Sequence, residues 1–225
     1  MLSRSVISVL VLLLCLTGCG TRYYVKPVKD TVSEEQPDEV RAEAWLFNTR
    51  VWRDGKPTTI RLEIYLTDSI TALSGRGYLG KGAMKGTIKD DSLFVYFPAS
   101  NEYVRESTSS LLDAGDCEGK APYVDILALL TQLPDSIDDL YEVQMTTNYT
   151  DPEKPTYVLY AKDCKWKLNL QYDYRKNGWR MKSFEFNSGN GTRIKAWRRT
   201  YEQRAEVPVK RFHVQLKPEA IRIIP

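Results

Sequence analysis

Trp166-Lys-Leu-Asn-Leu-Gln-Tyr-Asp-Tyr174 alternates without a break. Trp166, Leu168, Leu170, Tyr172 and Tyr174 fall on one side of an extended chain, and Lys167, Asn169, Gln171 and Asp173 fall on the other. A period of two predicts a β-strand with one face in a core and one in water. Thr59 to Thr67 repeats the pattern, with Ile60, Leu62, Ile64 and Leu66 opposed to Thr59, Arg61, Glu63 and Tyr65.

Working outward, most of the chain after Val40 reads the same way. Arg41 to Arg53 runs into Asp54-Gly55, a hairpin signal, because both residues tolerate the positive φ of a tight turn. Ile70 to Arg76, Tyr78 to Lys89 and Leu93 to Phe97 are further strands, the last two parted by Asp90-Asp91. Residues 99–119 read as a loop. Ala121 to Leu133 is the one helix: Tyr123, Ile126, Leu127 and Leu130 recur at helical spacing, Pro122 suits a first turn and Pro134 ends it. Strands resume at Leu140–Asn148, Tyr157–Lys162, Trp166–Tyr174, Arg180–Phe186, Thr192–Thr200 and Val207–Leu216, with Asn177-Gly178 and Asn190-Gly191 as hairpin turns. The expected fold is α+β and mostly β. It is a strongly curved antiparallel sheet, a half-barrel of about ten strands with a central covering helix, since a long sheet with one apolar face curls.

The first eighteen residues read as an export signal. Arg4 supplies the positive start, and Val6 to Leu16 is an apolar run of about eleven residues, shorter than the roughly twenty that span a bilayer as a helix. It ends in Leu16-Thr-Gly-Cys19, which resembles the bacterial lipobox, so Cys19 is the expected site of lipidation, with diacylglycerol and a palmitate-type acyl group. Three chains hold a protein to a membrane far better than one. Gly20, rather than Asp, follows the cysteine, which by analogy favours the outer membrane, facing the periplasm. Residues 19–39 are then anchor and tether, polar and with two prolines. Residues 40–225 form a single domain.

Cys117 and Cys164 are the only other thiols of the mature chain. In an oxidising compartment such a pair most often bonds, closing a loop of about 46 residues, worth roughly 4 kcal/mol in the chain-entropy account.

Across 225 residues, 32 Lys and Arg stand against 29 Asp and Glu, a formal net charge of +3. That balance argues against a dedicated nucleic-acid binder, and a mean hydropathy of −0.41 argues against a polytopic membrane protein. The total hides a division. Residues 165–225 hold 15 Lys and Arg against 5 Asp and Glu, whereas residues 19–164 hold 16 against 24. Arg193, Lys195, Arg198, Arg199 and Arg204 make up a basic cluster. Either they face a polyanion such as anionic lipid headgroups, or they pair with acids across neighbouring strands.

Little in the chain looks like catalysis. Gly75-Arg-Gly-Tyr-Leu-Gly80 spells the dinucleotide-binding pattern, but it sits between strands with no helix after it, so glycines at strand corners are the better account. His213 is the one histidine, on the polar side of the last expected strand, and no serine or acid is placed to partner it. Asp135, Asp138 and Asp139 offer oxygens to a cation, though Pro134-Asp-Ser136 reads more simply as a turn. Trp45, Trp52 and the tyrosines could stack on sugars but suit packing in a half-buried sheet. No enzyme activity, cofactor or metal is expected.

The order of these elements carries a resemblance. Leu73-Ser-Gly-Arg-Gly-Tyr-Leu-Gly80, Asp91-Ser-Leu-Phe-Val-Tyr-Phe-Pro98 and Asn101-Glu-Tyr103, behind a lipobox, resemble the LolA/LolB-like lipoprotein-carrier superfamily over about residues 40–215. The resemblance implies an acyl chain held in an apolar cavity between a half-barrel and its helices. Here one helix is expected rather than several. Ile60, Leu62, Ile64, Leu66, Leu93, Val95, Phe97, Trp166, Leu168, Leu170, Phe184 and Phe186 would line that cavity, or they are plain core if the helix fills it. The two expectations for function are a membrane-anchored binder of a lipid or lipoprotein acyl chain, and an interaction module that docks on an envelope assembly partner through its sheet edge or basic face.

Overall fold

A computed structural model describes residues 39–53, 55–77, 80–90, 92–107, 127–136, 144–148, 151, 153–160, 165–188 and 191–223. Twelve strands make up one sheet: β1 (Glu39–Arg53), β2 (Lys56–Leu66), β3 (Thr71–Arg76), β4 (Gly82–Lys89), β5 (Ser92–Phe97), β6 (Glu102–Ser107), β7 (Gln144–Asn148), β8 (Thr156–Tyr160), β9 (Lys167–Arg175), β10 (Gly178–Asn187), β11 (Arg193–Pro208) and β12 (Ile221–Arg222). Their order is β12-β6-β5-β4-β3-β2-β1-β11-β10-β9-β8-β7. β2 to β6 and β7 to β11 meander antiparallel, and β12 runs parallel to β6 with Ile221 opposite Glu102.

The protein is mostly β, as its alternation predicts. Three expectations need correction. The expected loop at 99–119 contains β6, where Val104 alternates with Tyr103 and Arg105 and pairs with Val95. The expected strands Thr192–Thr200 and Val207–Leu216 are one sixteen-residue strand ending at Pro208, followed by a 3-10 turn at Val209–Phe212. Of the expected helix over 121–133, residues 121–126 lie outside the described residues and the described part is one turn, α1 (Ala128–Thr131).

The chain divides into two compact units. The first is built on Asn48–Thr59 and Ser109–Arg198, and the second on the described parts of Leu12–Phe47, Ile60–Thr108 and Arg199–Pro225.

In the first unit the register lines up two apolar rows. Leu159, Leu168, Phe186 and Ile194 are successive neighbours, as are Tyr157, Leu170, Phe184 and Ala196. A register shift between Met181 and Ser183 lets Met181 face Tyr172, so the buried stripe continues despite the change of parity. Leu129 and Leu130 of α1 are buried in this unit. The Tyr172 hydroxyl donates to the Leu129 carbonyl at 2.8 Å, and the Tyr157 hydroxyl donates to Asp135 Oδ2 at 3.2 Å. The two rings meet edge to face, 5.7 Å apart. Two tyrosines of the sheet therefore hold the helical turn and the residues after it.

In the second unit Ile64, Leu73, Gly86, Val95 and Val104 form one row across five strands. Gly86 is required there: a Cβ would lie 2.6 Å from Val95 Cγ2 and 2.9 Å from the Phe94 carbonyl oxygen. Ala42, Ala72, Ala205, Val207 and Phe212 form a further cluster, with Val40, Ala44, Tyr65 and Ile70 packed on it. Small residues on β1, β3 and β11 leave room for the Phe212 ring beside Tyr65.

Candidate functional site

The twelve residues expected to line an apolar cavity are split between the units. Trp166, Leu168, Leu170, Phe184 and Phe186 belong to the first, and Ile60, Leu62, Ile64, Leu66, Leu93, Val95 and Phe97 to the second. Ten of them are buried, while Leu66 and Phe184 are half-buried. In the first unit α1 is bonded to Tyr172 of the apolar face through Leu129, which is 0% exposed. Burial raises the Tyr172 pKa well above the ordinary tyrosine value, so the hydroxyl keeps its proton and remains a donor to Leu129.

The basic cluster is also divided. Arg193, Lys195 and Arg198 lie in the first unit, Arg199 and Arg204 in the second. Arg193 pairs with Glu185 at 2.8 Å and stands over the Trp52 ring at 5.0 Å. Lys195 reaches the same carboxylate at 3.6 Å. Arg198 is bonded to Asp173 and to the Met181 carbonyl. Cross-strand pairing thus accounts for these three, but their partners are acids of the basic half itself. Arg199 and Arg204 are exposed.

The remaining candidates have local partners. Gly75, Gly77 and Gly80 form a corner into β4: the Gly77 and Gly80 amides close the turn and Gly80 has φ +73. A strand, not a helix, follows, which removes the dinucleotide reading. His213 is exposed after the 3-10 turn rather than within a strand, its Nδ1 3.1 Å from the Val209 carbonyl oxygen. Asp135 accepts from Tyr157, and Asp138 and Asp139 lie outside the described residues. Trp45 packs flat at 6.0 Å from Phe47 and tilts at 4.6 Å from Tyr201, a packing role. Cys19, Cys117 and Cys164 lie outside the described residues.

One arrangement escaped the sequence reading. On the side of β2 to β6 that also carries Tyr65 and the buried Ala72, Arg61 stands opposite Arg76, Glu63 opposite Ser74, Ser74 opposite Lys85, and Phe94 between Thr87 and Arg105. Glu63 accepts from Tyr65 at 3.2 Å and lies 3.5 Å from both Arg76 and Arg211. Burial raises the Tyr65 pKa, and the neighbouring Glu63 charge adds to it. Alternation in each strand supplies the bases singly. Their union on one face depends on strand register, which no single segment reveals.

No family model and no curated protein matches this sequence. Similar solved structures include a conserved protein from Thermus thermophilus, 12% identical with a TM-score of 0.45, covering 80% of this chain and 90% of that one. A DUF1329 family protein from Desulfovibrio piger is 11% identical with a TM-score of 0.43, over 76% of this chain and 89% of that one. An outer membrane lipoprotein-sorting protein domain from Vibrio parahaemolyticus is 9% identical with a TM-score of 0.42, over 76% and 89%.

Proposed function

We propose that this chain is a lipid-anchored protein of the bacterial envelope that acts by docking rather than by catalysis. Cys19 carries the anchor and residues 19–39 the tether, on the strength of the lipobox and the polar segment after it. The observation that favours docking over carriage of an acyl chain is the covering of the first unit's apolar face. Tyr172 bonds Leu129 and thereby holds α1 against β9, where an acyl chain would otherwise lie.

The element offered to a partner is β7. It ends the sheet and has β8 as its one neighbour among the described residues. The outer edge of such a strand presents backbone donors and acceptors that an extended segment can pair with. Met145, 40% exposed, provides an apolar handle beside it. The partner is an envelope protein contributing an extended segment.

The test uses the full-length chain in a diderm host. A photo-crosslinking residue at Met145 is expected to give one discrete adduct with an envelope protein, and the same residue at the exposed Arg199 none. Native mass spectrometry of the detergent-solubilised chain is expected to show the covalent lipid and no second lipid. A retained second lipid with no adduct at position 145 would return the function to acyl-chain binding.

A further inference from the structure

The side of β2 to β6 that carries Arg61 is set with exposed bases although this part of the chain is acidic on balance; between them Ala72, Ser74 and Tyr96 are buried, and Phe212 packs beside Tyr65. Residues opposite one another in an antiparallel pair share a face. Arg61 and Arg76 are opposite each other, Lys85 is opposite Tyr96, Lys89 opposite Ser92, and Arg105 opposite Phe94. Tyr96 and Tyr103 are opposite as well, which puts Arg105 and Lys85 on the same side. Arg61, Lys85, Lys89 and Arg105 are exposed. Glu63 is the one acid among these positions, and it is already engaged by Arg76, Arg211 and Tyr65. Glu102 and Glu106 alternate onto the other face, opposite Phe97 and Leu93. Arg61, Lys85, Lys89 and Arg105 have no ion-pair partner among the described residues.

The geometry points to an anionic phospholipid surface as the occupant of this face. The exposed bases stand on β2, β4 and β6 of a sheet whose strands are about 4.8 Å apart, so they spread over roughly 20 Å around those buried positions rather than converging on a cleft. An array of that kind matches a plane of headgroups better than a single small anion. Phe94 and Tyr103, half-buried with ring centres 5.6 Å apart, lie among the bases, and aromatic rings with one wet side suit the headgroup level. The inference rests on the lipid-anchor reading for proximity alone. Twenty residues span at most about 70 Å even when fully extended, so an anchor at Cys19 keeps the bilayer within reach. Each base near an anionic membrane adds roughly a fivefold gain in partition, so four give roughly several hundredfold at low salt. Screening removes most of that gain when the Debye length shrinks to about 3 Å near 1 M salt.

Lysine footprinting of the full-length chain tests the assignment. The chain is mixed with excess vesicles of phosphatidylcholine, with and without phosphatidylglycerol, and acylated briefly. Mass spectrometry then reads each lysine. Lys85 and Lys89 are expected to lose several-fold reactivity on phosphatidylglycerol vesicles at low salt, to regain it at high salt, and to stay reactive on phosphatidylcholine. Lys176, exposed on the β9–β10 turn, is expected to stay reactive throughout. The double variant Arg61→Glu, Arg105→Glu should lose the protection while its other lysines keep the wild-type pattern, which reports that the fold is intact.

Equal reactivity of Lys85 and Lys89 on both vesicles overturns the inference, as does protection of Lys176 in their place. Protection by soluble polyphosphate but not by vesicles overturns the membrane as occupant. Flotation of the chain with neutral vesicles reports the anchor separately, so a missing anchor and a missing docking face give different results.

Discussion

Arg198 holds Asp173 through a single nitrogen: Nη2 donates to both carboxylate oxygens, at 2.6 and 2.7 Å, while Nη1 donates to the Met181 carbonyl at 2.9 Å. The Arg198 side chain is 5% exposed and that of Asp173 16%. The pair spans from β11 to β9 at the register shift in β10, where the ladder is locally broken. Removing the guanidinium leaves the largely desolvated Asp173 to the exposed Arg175, 2.9 Å away, and leaves the Met181 carbonyl without this donor. Arg198→Ala is expected to cost about 2–4 kcal/mol, read as a lower urea midpoint. A loss below about 0.5 kcal/mol, the surface ion-pair range, would contradict the clamp.

Tyr172→Phe removes the hydroxyl that holds α1. The expected cost is about 1–2 kcal/mol, since the Leu129 carbonyl loses a buried donor. The measurement is equilibrium unfolding, with faster hydrogen exchange at Leu130 and Thr131 as the local sign. Unchanged exchange there would mean that α1 is held by its leucines alone.

The same residue sets an alkaline limit. The folded-state pKa of Tyr172 lies above the ordinary 10.0 because burial disfavours the phenolate. A raised pKa in the folded state gives stability that is complete below the unfolded value and is lost as pH rises past it. The wild-type chain should therefore lose stability between about pH 9 and about pH 11, and Tyr172→Phe should lose less over that range. Parallel curves for the two proteins would sink the assignment.

Gly86→Ala is expected to destabilise by about 1–3 kcal/mol, because the new methyl meets Val95 Cγ2 at 2.6 Å and a backbone carbonyl at 2.9 Å, and the backbone cannot yield. Gly82→Ala in the same strand meets nothing within 4 Å and serves as the comparison. Comparable melting temperatures for the two variants would show that β4 and β5 shift freely.

Thr49 on β1 is 0% exposed and its hydroxyl has no hydrogen-bond partner among the described residues. Thr49→Val keeps the shape and removes a desolvated hydroxyl, so a gain of about 1 kcal/mol is expected. A loss on thermal denaturation would reveal a partner for the hydroxyl.

The sheet was legible in the sequence because its faces are chemically distinct: Trp166 to Tyr172 and Ile60 to Ile64 alternate cleanly, and the buried sides are those the alternation names. β6 was not legible, since Glu102, Arg105 and Glu106 flank a single buried apolar residue, Val104, whose burial comes from Val95 on the next strand. The end of β11 was missed for a related reason. Ala205 and Val207 are buried by contact with Ala42 and Ala72, a tertiary matter, so the local pattern suggested a fresh strand. Charge was the least legible property. Counting by halves put the basic surface in residues 165–225, where Arg193, Lys195 and Arg198 are each paired with a near neighbour, Glu185 or Asp173. Arg61, Lys85, Lys89 and Arg105, with no ion-pair partner among the described residues, sit in the half whose total is acidic.

The position of β1 bears on how the chain is made. In the order β2-β1-β11, one neighbour follows within a few residues and the other starts about 140 residues later. Synthesis runs N-terminus first, so this fifteen-residue strand, carrying Trp45, Phe47 and Val51 on one side, keeps its second edge open until the other neighbour has followed. Long-range pairing is slow, and an open apolar edge recruits other strands in the meantime. The pairing of Glu39–Arg53 with Arg193–Pro208 is therefore expected to be the slow, late step of folding, and the one at which a half-made chain is most exposed to wrong partners.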